Sequence, residues 1–133
     1  MRLYLDADVF LALLKEEDRH KVAATLFLEK YKEEELFTSA ITCMELWFYL
    51  YRESRNKMVL DSLRAVSMLC TVVDVGFSDM QEAALLSEHY GLSPADALHA
   101  HIALRYDAIV SSDHSFDKVS ALKRMDFSRG LTG

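Results

Sequence analysis

Apolar residues along this chain change rhythm repeatedly, from short unbroken runs to helical spacing and back. Leu3-Tyr4-Leu5 is an apolar run stopped by Asp6, the pattern of a buried strand. From Asp8 to about Lys15, the positions Val9, Phe10, Ala12, Leu13 and Leu14 take helical spacing. A second helix is predicted from Asp18, where Val22, Ala23, Leu26 and Phe27, with Lys30, follow the i, i+3, i+4 rule. Residues 36–39 read as a second strand. A long helix over about 40–52, rich in Met44, Leu46, Trp47, Phe48, Leu50 and Tyr51, and another over about 57–70 come next. Residues 71–75 form a β-branched strand closed by Gly76. Ser78 or Asp79 then opens a helix over 80–90 that Gly91 ends. Ser93-Pro94-Ala95-Asp96 is the clearest helix start: Ser caps, Pro takes the first helical position, and an acid sits in the positive first turn. That helix runs to about Tyr106. Ala108-Ile109-Val110-Ser111 is the next strand, followed by Asp113 and a helical turn around Phe116.

The strands are short and apolar without polar alternation, and they alternate with helices. That argues for a parallel sheet covered on both faces, so the fold class is α/β: a three-layer α/β/α sandwich with a short central parallel sheet. A length of 133 residues fits one domain over 1–133. Hydrophobic residues at 51% and charged residues at 27% exclude a disordered chain or a fibre. No apolar run approaches the roughly 20 residues of a membrane span, and Asp6 arrives too early for a signal peptide. Cys43 and Cys70, far apart and in no ligand-like pairing, read as reduced, buried thiols of a cytoplasmic protein.

Charge at first points away from nucleic acid: 15 Lys and Arg against 21 Asp and Glu leave a net −6. An acidic chain repels phosphate backbones on average, so work on nucleic acid requires a local basic patch or metal ions. Basic residues gather at Arg52, Arg55 and Lys57 and again at Lys118, Lys123, Arg124 and Arg129. Interleaved acids make both groups read as solvated surface; Arg52, Arg55, Lys57, Lys123 and Arg124 are the weak candidates for contacting RNA.

The acids carry more information. In open α/β sheets, ligands sit beyond the carboxyl ends of the strands. Asp6 follows the first strand, Asp113 the strand at 108–111, Asp96 lies in a first helical turn, and Glu45 sits in the helix after residues 36–39. Taken singly, each has an ordinary explanation: strand end, helix-dipole acid, exposed stripe, turn former. Converging, four carboxylates would repel one another strongly. A hard divalent cation relieves that repulsion and can activate water for displacement at phosphorus.

Four segments in order resemble the PIN domain family, and within it the VapC-type ribonuclease toxins. They are Leu5-Asp6-Ala7-Asp8-Val9-Phe10, Thr38-Ser39-Ala40-Ile41-Thr42-Cys43-Met44-Glu45-Leu46, Pro94-Ala95-Asp96-Ala97-Leu98-His99-Ala100-His101-Ile102-Ala103, and Ile109-Val110-Ser111-Ser112-Asp113-His114-Ser115-Phe116-Asp117-Lys118-Val119. The resemblance implies that Asp6, Glu45, Asp96 and Asp113 are the catalytic, metal-binding acids, with Asp117 as a fifth acid or a support. Ser111 or Ser112 would support the site. Asp8, where many relatives carry Asn or Ser, would support it from behind or cap the first helix. The implied activity is a Mg²⁺- or Mn²⁺-dependent endoribonuclease that leaves a 5′-phosphate and a 3′-hydroxyl. The implied partners are an RNA substrate, a small VapB-type antitoxin that inhibits the toxin in a type II pair, and a second copy in a homodimer.

His99 and His101, two apart, face different sides of a helix and do not suggest zinc. His114, beside Asp113, reads as a surface turn residue or a substrate contact. The aromatic run Trp47, Phe48, Tyr49 and Tyr51 points all round its helix and suggests an interface. A haloacid-dehalogenase-type phosphatase, with Asp6 as nucleophile and Asp8 as acid, is a second reading, weakened by Phe10 where Thr is expected. A catalytically idle PIN binding module is a third.

Overall fold

The protein, seen in a computed structural model that describes residues 1–15 and 18–129, is built on a five-stranded sheet. The strands are β1 (Arg2–Leu5), β2 (Glu35–Ser39), β3 (Thr71–Val73), β4 (Ala108–Val110) and β5 (Arg124–Met125). They lie in the order β3-β2-β1-β4-β5, and every neighbouring pair is parallel. The α-helices are α1 (Ala7–Leu14), α2 (Lys21–Lys30), α3 (Ala40–Arg52), α4 (Val59–Leu69), α5 (Phe77–Tyr90) and α6 (Pro94–Ala103).

Both faces of the sheet are covered, as the unbroken apolar strands predict. Leu3, Leu5, Leu36, Ala108 and Val110 face one layer, where Val9 and Phe10 of α1, Phe27 of α2, Leu46 of α3 and Val66 of α4 complete a core. Tyr4 and Ile109 face the other, packed under Ala83 of α5 and Leu98, Ile102 and Ala103 of α6. Burial of each such aliphatic side chain is worth about 1.5–3 kcal/mol. Because all strands run the same way, their carboxyl ends share one edge of the sheet. Asp6 leaves β1 there, Ser39 leaves β2, and Ser111 leaves β4.

Several boundaries differ from expectation for local reasons. Helix α1 begins at Ala7 because Asp6 is its cap, accepting from the Ala7 N–H at 2.8 Å. Asp8 is therefore not the cap. Helix α5 begins at Phe77: Asp79 is its third residue, and its carboxylate reaches back to the Gly76 N–H at 2.8 Å. Strand β3 ends at Val73, short of 75, and Gly91 closes α5 in the left-handed region at φ 72°. Residues 56–58 form a 3-10 turn ahead of α4, and α6 gives way to turn bonds after Ala103. Strand β5 was not predicted; two residues, one of them Arg, leave no apolar signature.

Cys43 and Cys70 are free thiols, the first half-buried and the second buried. Burial pushes the Cys70 thiol up to about 12. Among the described residues, no helix is long and apolar enough to cross a membrane.

Candidate metal centre

Asp6 is the anchor of the sheet edge. It is 6% exposed. Its Oδ1 caps α1, and its Oδ2 accepts from the Ser111 hydroxyl at 2.7 Å. Its own N–H bonds the Val110 carbonyl at 3.0 Å, so β4 and β1 hold it jointly. Burial raises the Asp6 carboxyl well above the usual carboxylate range; His99 opposes the rise, and the charges of Asp8 and Glu45 add to it.

Asp8 lies two residues further on, in the first turn of α1. Its Oδ2 accepts from the Ser112 N–H at 2.9 Å, the Ser112 hydroxyl at 2.6 Å and the Ser111 hydroxyl at 3.3 Å. Its Oδ1 is buried with no partner among the described residues, which leaves negative potential unsatisfied beside Asp6. Ser111 also accepts from the Asp113 N–H at 3.0 Å. Asp113 in turn caps the 3-10 turn His114–Lys118, accepting from the Ser115 N–H at 2.8 Å.

Glu45 arrives from α3, which Ser39 caps through the Ile41 N–H. Asp96 lies in the first turn of α6, its N–H bonded to the Ser93 hydroxyl at 3.3 Å. Burial pushes the Asp96 carboxyl up, and the charge of Asp113 adds to that.

The tightest convergence includes a residue that sequence reasoning set aside. Asp6, Glu45 and His99 each bring one ligand atom within 4.8 Å of the others, the only such group among the described residues. Asp96 and Asp113 do not join it. His99 is 1% exposed. Its Nε2 hydrogen-bonds Glu45 Oε1 and lies 3.5 Å from Asp6 Oδ1. Its Nδ1 meets the Tyr4 hydroxyl at 2.7 Å, which meets the Ser39 hydroxyl at 2.7 Å. Burial alone would lower the basicity of the imidazole, but the hydrogen bond it donates to Glu45 and the charges of Asp6, Glu45 and Asp96 outweigh it and raise the pKa. The signal available in the sequence was spacing: His99 is three residues after Asp96 and so shares its helix face, whereas His101 turns to Asp79 at 3.0 Å.

The donor set fits a divalent cation. It is rich in carboxylate oxygen, it carries a buried acid under repulsion, and the orphaned buried oxygen of the neighbouring Asp8 adds negative potential beside it. Asp117 is elsewhere: it is exposed and paired with Arg124 at 2.9 Å and His114 at 3.3 Å. Arg124 is 9% exposed at its side chain and is taken up by Asp117, Asp126 and the Ser111 carbonyl. It staples the β4 end to β5 and is not a free contact for RNA. His114 is a surface residue. Arg52 is exposed at the far end of α3, about 10 Å along the helix from Glu45; Arg55, half-buried, and Lys57, exposed in the 3-10 turn, follow it, and Lys123 is exposed just before β5.

The PIN domain model matches residues 3–122. The chain belongs to the PIN domain family. Among solved structures, this PIN domain is similar to VapBC2 from Rickettsia felis bound to a promoter DNA fragment, at 17% identity over 94% of this chain and 98% of that one, TM-score 0.72. It is similar to DNA-bound VapBC from Salmonella typhimurium, at 16% identity over 96% and 98%, TM-score 0.75. It is also similar to VapC20 from Mycobacterium tuberculosis, a sarcin-ricin loop cleaving toxin, at 19% identity over 86% and 92%, TM-score 0.73. No curated protein matches the chain in sequence. Membership of the PIN family displaces the phosphatase reading, and Asp8, committed to Ser111 and Ser112, is not placed as a free acid.

Proposed function

We propose that this PIN domain is a VapC-like, Mg²⁺- or Mn²⁺-dependent endoribonuclease, the toxin of a type II toxin-antitoxin pair acting in the cytoplasm. One observation carries the reading: carboxylates from β1 and α3 converge on a single point of the sheet's carboxyl edge, with Asp6 buried under repulsion that a cation relieves. The family is one of nucleases, and a structural neighbour cleaves the sarcin-ricin loop.

Asp6 and Glu45 would hold the ion, with Asp96 and Asp113 completing the acidic rim. When bound there, the ion supplies charge neutralisation at the phosphate and activation of water for in-line hydrolysis. Ser111 keeps Asp6 oriented. Asp8, through Ser112, keeps the turn carrying Asp113 in place. The exposed side chains of Arg52 and Lys57 are suited to steer the RNA backbone, offsetting the net charge of −6.

A VapB-type antitoxin is the partner this reading entails, since the VapBC neighbours are complexes. The exposed face of α3, where Met44, Trp47, Phe48 and Tyr51 line a groove of about 300 Å³, is suited to a second copy in a homodimer.

The test is cleavage of a mixed RNA pool by the purified protein with Mg²⁺, Mn²⁺ or EDTA, beside Asp6→Asn. Cleavage that requires both metal and Asp6 is expected, with 5′-phosphate ends. Cleavage that survives EDTA or Asp6→Asn would overturn the assignment. Absence of cleavage, repeated after denaturing and refolding to strip any bound antitoxin, would favour the idle binding module.

A further inference from the structure

The four-acid reading leaves His99 without a task, although it is the most deeply buried member of the cluster. An imidazole shut among carboxylates could simply be a satisfied core residue. Its surroundings are more particular than that role requires.

Nε2 is the atom aimed at the acids: it contacts Glu45 Oε1 and lies 3.5 Å from Asp6 Oδ1. Two donors about 2.1 Å from one ion stand about 3 Å apart at right angles and about 4.2 Å apart when opposite, so 3.5 Å is a separation one ion can bridge. Nδ1, on the other side of the ring, is fixed by Tyr4, and Tyr4 by Ser39, at 2.7 Å each. This is the arrangement metal-ligating histidines adopt, with the distal N–H donating to a fixed partner so that the other nitrogen presents its lone pair. Without an ion, Nε2 shares a proton with Glu45; an ion in place of that proton would leave Nδ1–H donating to Tyr4, the Tyr4 hydroxyl donating to Ser39, and the Nε2 lone pair directed at the metal. Tyr4 and Ser39 are both 0% exposed, so the ring is locked against rotation. Glu45, on a longer and partly exposed side chain, is the group free to adjust.

We propose that His99 Nε2 is itself a ligand of the divalent ion, which makes the centre a mixed oxygen–nitrogen site selective for Mn²⁺ over Mg²⁺. This rests on the metal-dependent reading above and adds the ligand that distinguishes the two ions. Mg²⁺ is held by oxygen and gains little from imidazole, whereas transition ions gain affinity from nitrogen.

The experiment is Mn²⁺ titration by electron paramagnetic resonance, followed by pulsed spectra of the Mn²⁺-loaded protein made with ¹⁵N in histidine alone or unlabelled. The expected result is bound Mn²⁺ with a histidine-nitrogen coupling that changes between the two labels. It should be absent in His99→Gln and present in His114→Gln. His99→Gln should weaken Mn²⁺ by about tenfold or more while Mg²⁺, read by displacement of Mn²⁺, changes by less than about threefold. Bound Mn²⁺ without histidine coupling would overturn the ligand assignment and leave the metal-dependent reading standing; so would equal weakening of both ions in His99→Gln. Failure of the wild-type protein to bind Mn²⁺ would overturn both. If His99→Gln does not fold, the isotope comparison in the wild-type protein decides alone.

Discussion

Asp8 Oδ2 receives both the backbone N–H and the hydroxyl of Ser112, at 2.9 and 2.6 Å, and so ties the first turn of α1 to the segment leaving β4. The residue after Ser112 is Asp113. A carboxylate that is not itself among the converging ligands thus sets the position of one of the four acids.

Asp8→Ala should remove an acceptor from half-buried donors and cost about 1–3 kcal/mol. Cleavage should fall although no rim acid is lost. Asp8→Asn keeps an acceptor oxygen and should recover most of the stability. Urea unfolding midpoints of the three proteins check this; an unchanged midpoint in Asp8→Ala would refute the clamp.

Asp6→Asn should abolish metal-dependent cleavage without loss of stability. The carboxyl it removes is forced by burial well above its ordinary range, and its charge repels those of Asp8 and Glu45. The thermal midpoint of the metal-free protein should hold or rise by a few degrees, since about 1 kcal/mol moves a domain of this size by roughly 2–8 °C. A lower midpoint would mean that the Ser111 and Ala7 contacts outweigh the repulsion.

Asp79 predicts the acid limb of the stability profile. The Gly76 N–H, then His101 and Arg105, hold its carboxyl down at about 2, below its ordinary 3.8. A depressed carboxyl stabilises above the unfolded value, and that contribution is lost as pH falls from about 4 through the folded value of about 2. Asp79→Asn should cost about 1–2 kcal/mol at pH 7 and progressively less as pH falls below about 4 and through 2, so the two curves draw together in acid. Parallel curves across that window would refute the assignment.

Phe48→Glu should fold normally, because Phe48 is 58% exposed. If the α3 face joins two copies, the variant should sediment as a monomer at concentrations where the parent is a dimer. Identical sedimentation of the two would place the dimer contact, or its absence, elsewhere.

Much of the fold was legible because its signals are local. Ser93-Pro94 caps α6, Gly91 ends α5, and the unbroken strand runs announce a parallel sheet. Carboxylates following β1 and β4 were legible for the same reason. What escaped notice depends on contacts between distant positions. His99 resembles any core histidine until Tyr4, Ser39 and Glu45 are seen around it. Arg124 looks like a surface cation until Asp117, Asp126 and the Ser111 carbonyl enclose it. Strand β5 escaped because two residues carry no period.

The register that seats Asp6 also sets when the centre can exist. Leu3 pairs with Ala108 and Leu5 with Val110, so the two central strands are drawn from opposite ends of the chain. Such a pairing closes a long loop and is slow to form, because loop-closure entropy must be overcome before the contact rewards it. A chain interrupted before β4 would carry Asp6, Glu45 and His99 with neither Ser111 nor Asp113 to hold or complete them. The acidic edge is therefore completed only once β1 and β4 have met, however early Asp6, Glu45 and His99 are in place.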